Sequence, residues 1–141
     1  MGFLIDTNVV SEQRKGVRGN PSVRQWFSQT PGMSIYLSVL TIGELRQGVE
    51  RIRRKDSIAA ASLEKWLNTI ENQMAGRILP VTQAIAERWG YLNVPDPLPA
   101  IDGLLAATAL VHDLTLVTRN VRDVERSGVR LLNPFLDDSV I

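Results

Sequence analysis

Short apolar segments alternate with longer amphipathic ones along the whole chain. Phe3-Leu4-Ile5 and the segment from Ile35 to Val39 are rich in the branched and aromatic residues of buried strands. Three further short segments of this kind lie at residues 78–81, 116–118 and 130–132. Between them, apolar residues recur every three or four positions, which predicts helices. This alternation favours an α/β fold in which five parallel strands form a sheet flanked by helices.

Several helix boundaries are marked by capping residues and by proline. The pattern predicts a helix from Asp56 to about Met74 and a strongly apolar helix from Ala100 to His112. Pro21 marks the start of an earlier helix, and Thr41 and Thr82 are candidate N-caps of two others. There is no linker, repeat or low-complexity segment, so we expect residues 1–141 to form a single domain.

The composition excludes several kinds of chemistry. The chain has no cysteine and one histidine, His112, which excludes disulfides, cysteine nucleophiles and metal centres built from several histidines. A metal ion in this protein would therefore be held by oxygen atoms. No stretch approaches the ~18 apolar residues of a membrane span, and the N-terminus does not resemble a signal peptide, so we expect a cytoplasmic protein.

Three acidic residues stand alone in apolar surroundings. Asp6 is the only charged residue among the first ten, Glu44 is the only one between positions 25 and 45, and Asp102 is the only one in residues 100–111. Each has a purely structural interpretation: Asp6 as a helix cap, Glu44 as part of a capping box that begins at Thr41, and Asp102 as a partner of the helix dipole. Burying Asp102 without a partner would cost several kcal/mol, so we expect it to have one.

The predicted topology brings these acids toward one edge of the sheet. Asp6, Glu44 and the segment from Thr118 to Asp123 all follow strands, and Asp102 opens a helix that packs beside them. Four carboxylates together would repel one another unless a divalent cation supplied the opposing charge. Oxygen ligands favour Mg²⁺ or Mn²⁺, and such an ion can activate water for attack on a phosphodiester. The pattern therefore predicts a metal-dependent nuclease, although Asp123 also suits an ordinary polar loop.

The order and setting of these residues resemble the PIN-domain family, and within it the VapC-type toxins and their FitB-like branch. The matching segments span Phe3 to Val10, Leu37 to Gly48, Gly76 to Pro80, Asp102 to Ala109 and Leu116 to Asp123, followed by Leu132-Asn133-Pro134-Phe135. The resemblance implies a PIN-like three-layer fold and Mg²⁺- or Mn²⁺-dependent cleavage of RNA. It also implies a homodimer that is inhibited by a cognate antitoxin, in a type II toxin–antitoxin system whose complexes can be larger hetero-oligomers.

The resemblance also implies a set of site residues. It assigns the metal to four acids, Asp6, Glu44, Asp102 and Asp123. Thr118 corresponds to a residue that supports the site by hydrogen bonding. Family members place the fourth acid at one of two positions, held here by Asn120 and Asp123, and only Asp123 is acidic. Val124 replaces a phenylalanine that is often found next.

Two other enzyme classes are disfavoured because this chain lacks residues that they require. A dehalogenase-type phosphatase would have a second acid where this chain has Asn8, and a receiver domain would have a lysine after a late strand, where this chain has none. A catalytically weak binding module of the same fold and a structure-specific DNA nuclease are the two alternatives to an RNA-cleaving enzyme. A basic cluster suits either RNA phosphates or an ordinary solvated helix face; it comprises Arg46, Arg51, Arg53, Arg54 and Lys55.

Overall fold

Strands and helices alternate along the chain in the computed structural model, which describes residues 1–136. Residues 137–141, the end of the expected single domain, lie outside the described residues. The strands are β1 (Phe3–Ile5), β2 (Ile35–Ser38), β3 (Ile78–Leu79), β4 (Thr115–Val117) and β5 (Leu131–Leu132). The helices are α1 (Thr7–Arg14), α2 (Pro21–Gln29), α3 (Val39–Arg53), α4 (Ser57–Gln73), α5 (Gln83–Leu92), α6 (Ala100–His112) and α7 (Val121–Val124). The five predicted strands and the predicted boundaries of α4 and α6 are confirmed.

The five strands form one parallel sheet in the order β3-β2-β1-β4-β5. In the register of its two central strands, Leu4 pairs with Leu116 and Ile5 pairs with Val117. Because successive side chains of a strand point to opposite faces, each face of the sheet receives one of these apolar pairs. Both faces must therefore be covered by helices, and the predicted α/β fold is confirmed.

Two hydrophobic cores lie on the two faces of the sheet. The first packs Ile5 and Val117 against apolar residues of α1 to α4. The second packs Leu4 and Leu116 against α6 and α7. This arrangement makes three layers and explains why the sequence of α6 is apolar almost all round, since α6 contacts both the sheet and α5. None of the helices formed by residues 1–136 is both long and apolar enough to cross a membrane.

The start of α6 packs tightly against α5, and Gly103 makes this possible. A Cβ atom added at Gly103 would lie 3.2 Å from the Cβ of Leu98 and 3.3 Å from Cδ1 and Nε1 of Trp89. Those distances are shorter than the roughly 3.5–4.0 Å of a normal carbon contact. The missing side chain therefore lets Trp89 press against the first turn of α6, and this contact helps to fix the position of the neighbouring residue, Asp102.

Candidate active site

The strand order places the candidate site where the chain reverses direction across the sheet. The strands proceed outward from β1 through β2 to β3, and the chain then returns to add β4 and β5 on the other side of β1. Asp6 directly follows β1, and Thr118 directly follows β4. In open parallel sheets this switch point opens a crevice at the carboxyl ends of the strands, where ligands bind. Asp6 and Thr118 lie at this crevice.

Asp6 is both the N-cap of α1 and a member of the site. Its side chain is buried, at 5% exposure. Oδ1 accepts a hydrogen bond from the backbone N–H of Thr7 at 2.7 Å. Oδ2 accepts hydrogen bonds from the Thr118 hydroxyl at 2.6 Å and from Nδ2 of Asn8 at 3.2 Å. Since a carboxylate has about four acceptor positions, capping and hydrogen bonding leave Asp6 some capacity for a further ligand.

Thr118 fixes the orientation of the Asp6 carboxylate. Thr118 is 1% exposed, and its hydroxyl donates to Asp6 while accepting a hydrogen bond from the backbone N–H of Asn120 at 3.0 Å. Asn120 thus contacts the site through its backbone, and its side chain is exposed. The Thr118 hydroxyl therefore has one donor and one acceptor partner, which holds its proton on the carboxylate side.

This geometry predicts a large effect of Thr118→Val on stability. The substitution removes the hydroxyl that donates to the buried Asp6 carboxyl group, and we expect the free energy of unfolding at pH 7 to fall by about 2 kcal/mol. Urea unfolding measures this change. Thr108→Val is a matched control, because Thr108 is also 1% exposed but donates only to the backbone carbonyl of Leu104. Equal losses in the two variants would show that the bond to Asp6 has no special weight.

Glu44 lies in the second turn of α3 and does not cap the helix. The capping-box interpretation is wrong, because β2 runs directly into α3 and the N-cap is Ser38. Thr41 therefore falls inside the first turn, where it is buried. Instead, Oε1 of Glu44 accepts a hydrogen bond from the hydroxyl of Thr7 at 2.5 Å. This contact ties α3 to the start of α1 and points the Glu44 carboxylate toward the site.

The charges of the other three acids act on Asp102. It lies in the first turn of α6, and its pKa is raised to about 6, chiefly by burial and then by the negative charges of Asp6, Asp123 and Glu44. Asp123 lies on α7 and is exposed, so it borders the site from the solvent side. Each of the four carboxylates is supplied by a different part of the fold. The structure therefore places the other three acids that the sequence singled out near enough to Asp102 for their charges to raise its pKa.

The spacing of these acids limits how they can bind a cation. Among residues 1–136, no three acidic or histidine side chains are close enough to surround one ion directly. Repulsion between like charges favours such a separation. Mg²⁺ usually keeps several water molecules and is bound through only one or two carboxylates. The donor set thus fits a hydrated divalent ion and not an ion enclosed by protein ligands.

Two residues of this network were missed by the sequence analysis. Thr7 holds Glu44 through its hydroxyl, and Asn8 connects Asp6 to the backbone N–H of Arg119, which donates to Oδ1 of Asn8 at 3.3 Å. A signal was present, because Asp6, Thr7 and Asn8 form a polar run between the apolar ends of the first ten residues. Because both side chains are uncharged, the isolated charge of Asp6 does not indicate them.

Comparisons with known proteins agree with this geometry. The PIN domain family matches residues 3–126. Toxin FitB of Neisseria gonorrhoeae is 33% identical, and the alignment covers 96% of this chain and 99% of FitB. The crystal structure of FitAcB from Neisseria gonorrhoeae superimposes with a TM-score of 0.87 at 32% identity, over 94% of this chain and 98% of that one.

Two further relatives extend the comparison. VapC ribonuclease Y4jK of Sinorhizobium fredii is 28% identical, covering 94% of this chain and 97% of its own length. A toxin–antitoxin complex from Klebsiella pneumoniae contains a chain that superimposes with a TM-score of 0.65 at 25% identity, over 94% of this chain and 98% of its own. The resemblance seen in the sequence is thereby confirmed: this chain belongs to the PIN-domain family.

Proposed function

We propose that this protein is a metal-dependent endoribonuclease and the toxin of a toxin–antitoxin pair. The observation that carries the proposal is a half-buried carboxylate, Asp102, at the edge of the sheet where three other acids also lie; burial, and after it the negative charges of those acids, raises its pKa to about 6. Acids that only stabilise a fold are normally paired with cations or kept apart. An uncompensated acidic cluster at the switch point of a parallel sheet is therefore best explained by a cationic ligand. The relatives named VapC ribonuclease and Toxin FitB support RNA as the substrate and toxicity as the role.

We propose that the four acids, Asp6, Glu44, Asp102 and Asp123, form the metal site, one or two of them binding the ion directly and the others binding its water molecules. Asp102 is the best candidate for direct contact, since burial and like charges disturb its pKa and no hydrogen bond from residues 1–136 offsets them. A bound Mg²⁺ or Mn²⁺ would supply positive charge for the phosphate oxygens and would lower the pKa of a water molecule.

The neutral residues of the site have a positioning role in this proposal. Thr118 and Asn8 hold the Asp6 carboxylate, and Thr7 holds that of Glu44. Asn120 acts through its backbone N–H, which fixes the Thr118 hydroxyl. Preorganised outer contacts of this kind normally contribute about 10- to 100-fold to metal affinity or activity.

We also propose that the protein binds a cognate antitoxin and acts as a homodimer, with residues 1–141 forming one domain. The relationship to a chain from a toxin–antitoxin complex supports the antitoxin as a partner. An acidic site of this kind is also a suitable receptor for a basic side chain of an antitoxin, since an arginine can make paired hydrogen bonds with carboxylates.

The proposed function is tested by incubating the purified protein with a panel of RNAs and with DNAs of the same sequences, with Mg²⁺, with Mn²⁺ or with a chelator. We expect RNA to be cleaved when either ion is present and to remain intact with the chelator. Cleavage of DNA alone would assign the site to a DNA nuclease. Failure to cleave either polymer, by a protein that still binds its co-expressed antitoxin, would indicate a binding module.

A further inference from the structure

Arg119 is attached to the candidate active site through its backbone. It directly follows Thr118, and its N–H donates a hydrogen bond to Oδ1 of Asn8 at 3.3 Å. Thr118 and Asn8 both donate to Oδ2 of Asp6, at 2.6 and 3.2 Å. The residues that orient the Asp6 carboxylate therefore also fix the starting point of the Arg119 side chain. Because Thr7, one position before Asn8, bonds to α3, Arg119 borders the site from a different face of α1.

The guanidinium of Arg119 lies over an aromatic ring close to the end of the described residues. Its central carbon is 4.3 Å from the centroid of the Phe135 ring, within the roughly 6 Å over which a cation is attracted to an aromatic face. Phe135 is partly buried and packs against the first hydrophobic core. The ring is therefore a fixed platform for the guanidinium.

The turn that carries Phe135 is itself held in place. The N–H of Phe135 donates to Oδ1 of Asn133 at 3.0 Å, and the hydroxyl of Ser22, in α2, donates to the carbonyl of Leu136 at 2.9 Å. Pro134, inside this turn, is buried and has a fixed φ angle. Because the turn is bound on both sides of the ring, Phe135 keeps the guanidinium in one position.

The guanidinium of Arg119 has no acidic partner among residues 1–136, where it forms no ion pair. Glu12 lies close enough for the charge of Arg119 to lower its pKa, but hydrogen bonds from Lys15 and from the N–H of Asn20 are the larger causes. These two bonds, at 3.0 and 2.8 Å, occupy the two oxygens of Glu12. The positive charge of Arg119 is therefore available to a ligand.

An arginine that is stacked but unpaired is prepared to bind an anion with two acceptor atoms. The ring contacts one face of the guanidinium, while the N–H donors of the guanidinium point outward in its plane. A side chain that is already held in place loses less rotamer freedom when a ligand binds. Phosphate and carboxylate both accept such forked pairs of hydrogen bonds. Because Arg119 starts beside Asp6, where the proposed ion would hold a phosphodiester, its position favours the phosphate of a nucleic acid.

The missing ion pairs also indicate which phosphate Arg119 reaches. The guanidinium forms no ion pair with Asp6, Glu44, Asp102 or Asp123, so it lies beside these acids and not among them. A phosphate held by an ion at the acids is the one that is cleaved. The guanidinium is therefore placed for the next phosphate along the strand.

We propose that Arg119, held over Phe135, binds the RNA phosphate adjacent to the one that is cleaved. Phe135 is then a positioning residue that acts through the guanidinium. The contact fixes where the RNA strand lies relative to the four acids. This inference rests on the proposed function, since it takes the acids as the cleavage site.

The contact is tested by the binding of a short fluorescein-labelled single-stranded RNA, measured by anisotropy in chelator so that the RNA stays intact. We expect Arg119→Gln to weaken binding about tenfold, the size expected for a hydrogen bond to a charged group. It should also reduce the slope of log K against log salt by about 0.7, the value for one phosphate contact in a single strand.

The matched control is Arg130→Gln, which removes an arginine beside the opposite end of β4. Arg130 contacts Thr115, the first residue of β4, and pairs with Asp113 at 2.8 Å. This variant has the same net charge as Arg119→Gln and should bind RNA as the wild type does. Equal weakening in the two variants would overturn the inference, because it would show an effect of overall charge and not of a contact.

A double-mutant cycle tests the role of Phe135. Phe135→Leu should weaken RNA binding about threefold in the wild type, as expected for loss of an exposed cation–π contact, and should have no effect in the Arg119→Gln variant. Phe135→Tyr keeps the ring and should bind as the wild type does. Urea unfolding of each variant verifies that it is folded. An equal effect of Phe135→Leu with and without Arg119 would overturn the positioning role.

Cleavage with Mn²⁺ identifies the phosphate that Arg119 binds. In an RNA that the protein cleaves, each phosphate beside the cut is replaced in turn by a neutral methylphosphonate. One of these replacements should raise the RNA concentration needed for the half-maximal rate about tenfold in the wild type, with no further increase in Arg119→Gln. If every replacement impairs Arg119→Gln as much as it impairs the wild type, the inference is overturned.

The same assays distinguish failure of this inference from failure of the proposed function. Wild-type RNA binding by Arg119→Gln would overturn the inference while leaving the nuclease intact. A loss of antitoxin binding in Arg119→Gln without a loss of RNA binding would also overturn it, by assigning the guanidinium to an acidic group of the antitoxin. RNA binding that depends on Arg119, in a protein that cleaves no RNA, would refute the proposed function alone.

Discussion

Asp102→Asn is expected to abolish metal-dependent RNA cleavage and, in metal-free buffer, to make the protein more stable at neutral pH. Both effects follow from one charge, that of a carboxylate which is partly buried and also faces three other acids. Asparagine keeps the shape of the side chain but removes the charge that a divalent ion requires. It also removes the repulsion from Asp6, Asp123 and Glu44. We expect activity to fall by more than about 100-fold, beyond the loss typical of outer contacts.

The direction of the pH dependence follows from the raised pKa. In the folded chain Asp102 has a pKa of about 6, above the value of an exposed aspartate. Folding therefore favours the protonated form, and the wild type loses stability as the pH rises from about 4 through about 6. A tenfold change in proton affinity corresponds to about 1.4 kcal/mol. Because solvent screens the exposed part of the side chain, we expect a difference of about 1 kcal/mol at pH 7.5 and none at pH 3.5.

Chemical denaturation with a chelator at the two pH values measures this difference. Asp113→Asn is the matched control, since Asp113 follows α6 and its side chain is 86% exposed. Its left-handed backbone, with φ of 56°, is also one that asparagine readily adopts. This variant should keep both activity and stability. If Asp102→Asn instead melts lower than the wild type at pH 7.5, the carboxylate has a structural role and the proposed site loses its main support.

Glu44→Gln is expected to lower cleavage by more than about 100-fold with nearly unchanged stability. The Glu44 side chain accepts a hydrogen bond from the Thr7 hydroxyl through Oε1, and the amide oxygen of glutamine can accept the same bond. The orientation of the side chain is therefore kept while its charge is lost. Steady-state cleavage and urea unfolding, measured on the same preparation, separate the two effects.

The control for this substitution is Glu50→Gln in the same helix. Glu50 pairs with Arg46 and Arg53 on the exposed surface, where such pairs contribute about 0–1 kcal/mol. The Glu50→Gln variant should cleave RNA at the wild-type rate. Full activity in Glu44→Gln, or loss of activity in both variants, would exclude a special role of the Glu44 charge in metal binding.

The secondary structure was largely predictable because its signals are local. The limits of α6, Ala100–His112, were predictable from the proline-rich segment before it and the polar residues His112-Asp113 at its end, and β1 was predictable from three apolar residues before an acid. The junction of β2 and α3 was not predictable from the sequence. Thr41 looked like an N-cap, but Ser38 takes that position because strand and helix meet without a loop. Which hydroxyl caps a helix depends on where the preceding strand ends, and pairing with β1 and β3 decides that.

The sequence by itself determined which groups are available: isolated carboxylates, a single histidine without any cysteine, and a strand–helix alternation that sends strand ends to one edge. The tertiary structure decided which of these groups act on one another. Sheet order brought Thr118 to Asp6, helix packing brought Thr7 to Glu44, and Glu64 of α4 pairs with Arg53 whereas Arg51 lines a cavity with Thr7 and Glu44. The reason is physical. Periodicity and capping depend on neighbours along the chain, whereas Coulomb interactions and hydrogen bonds depend on distances through space that only the packed fold sets.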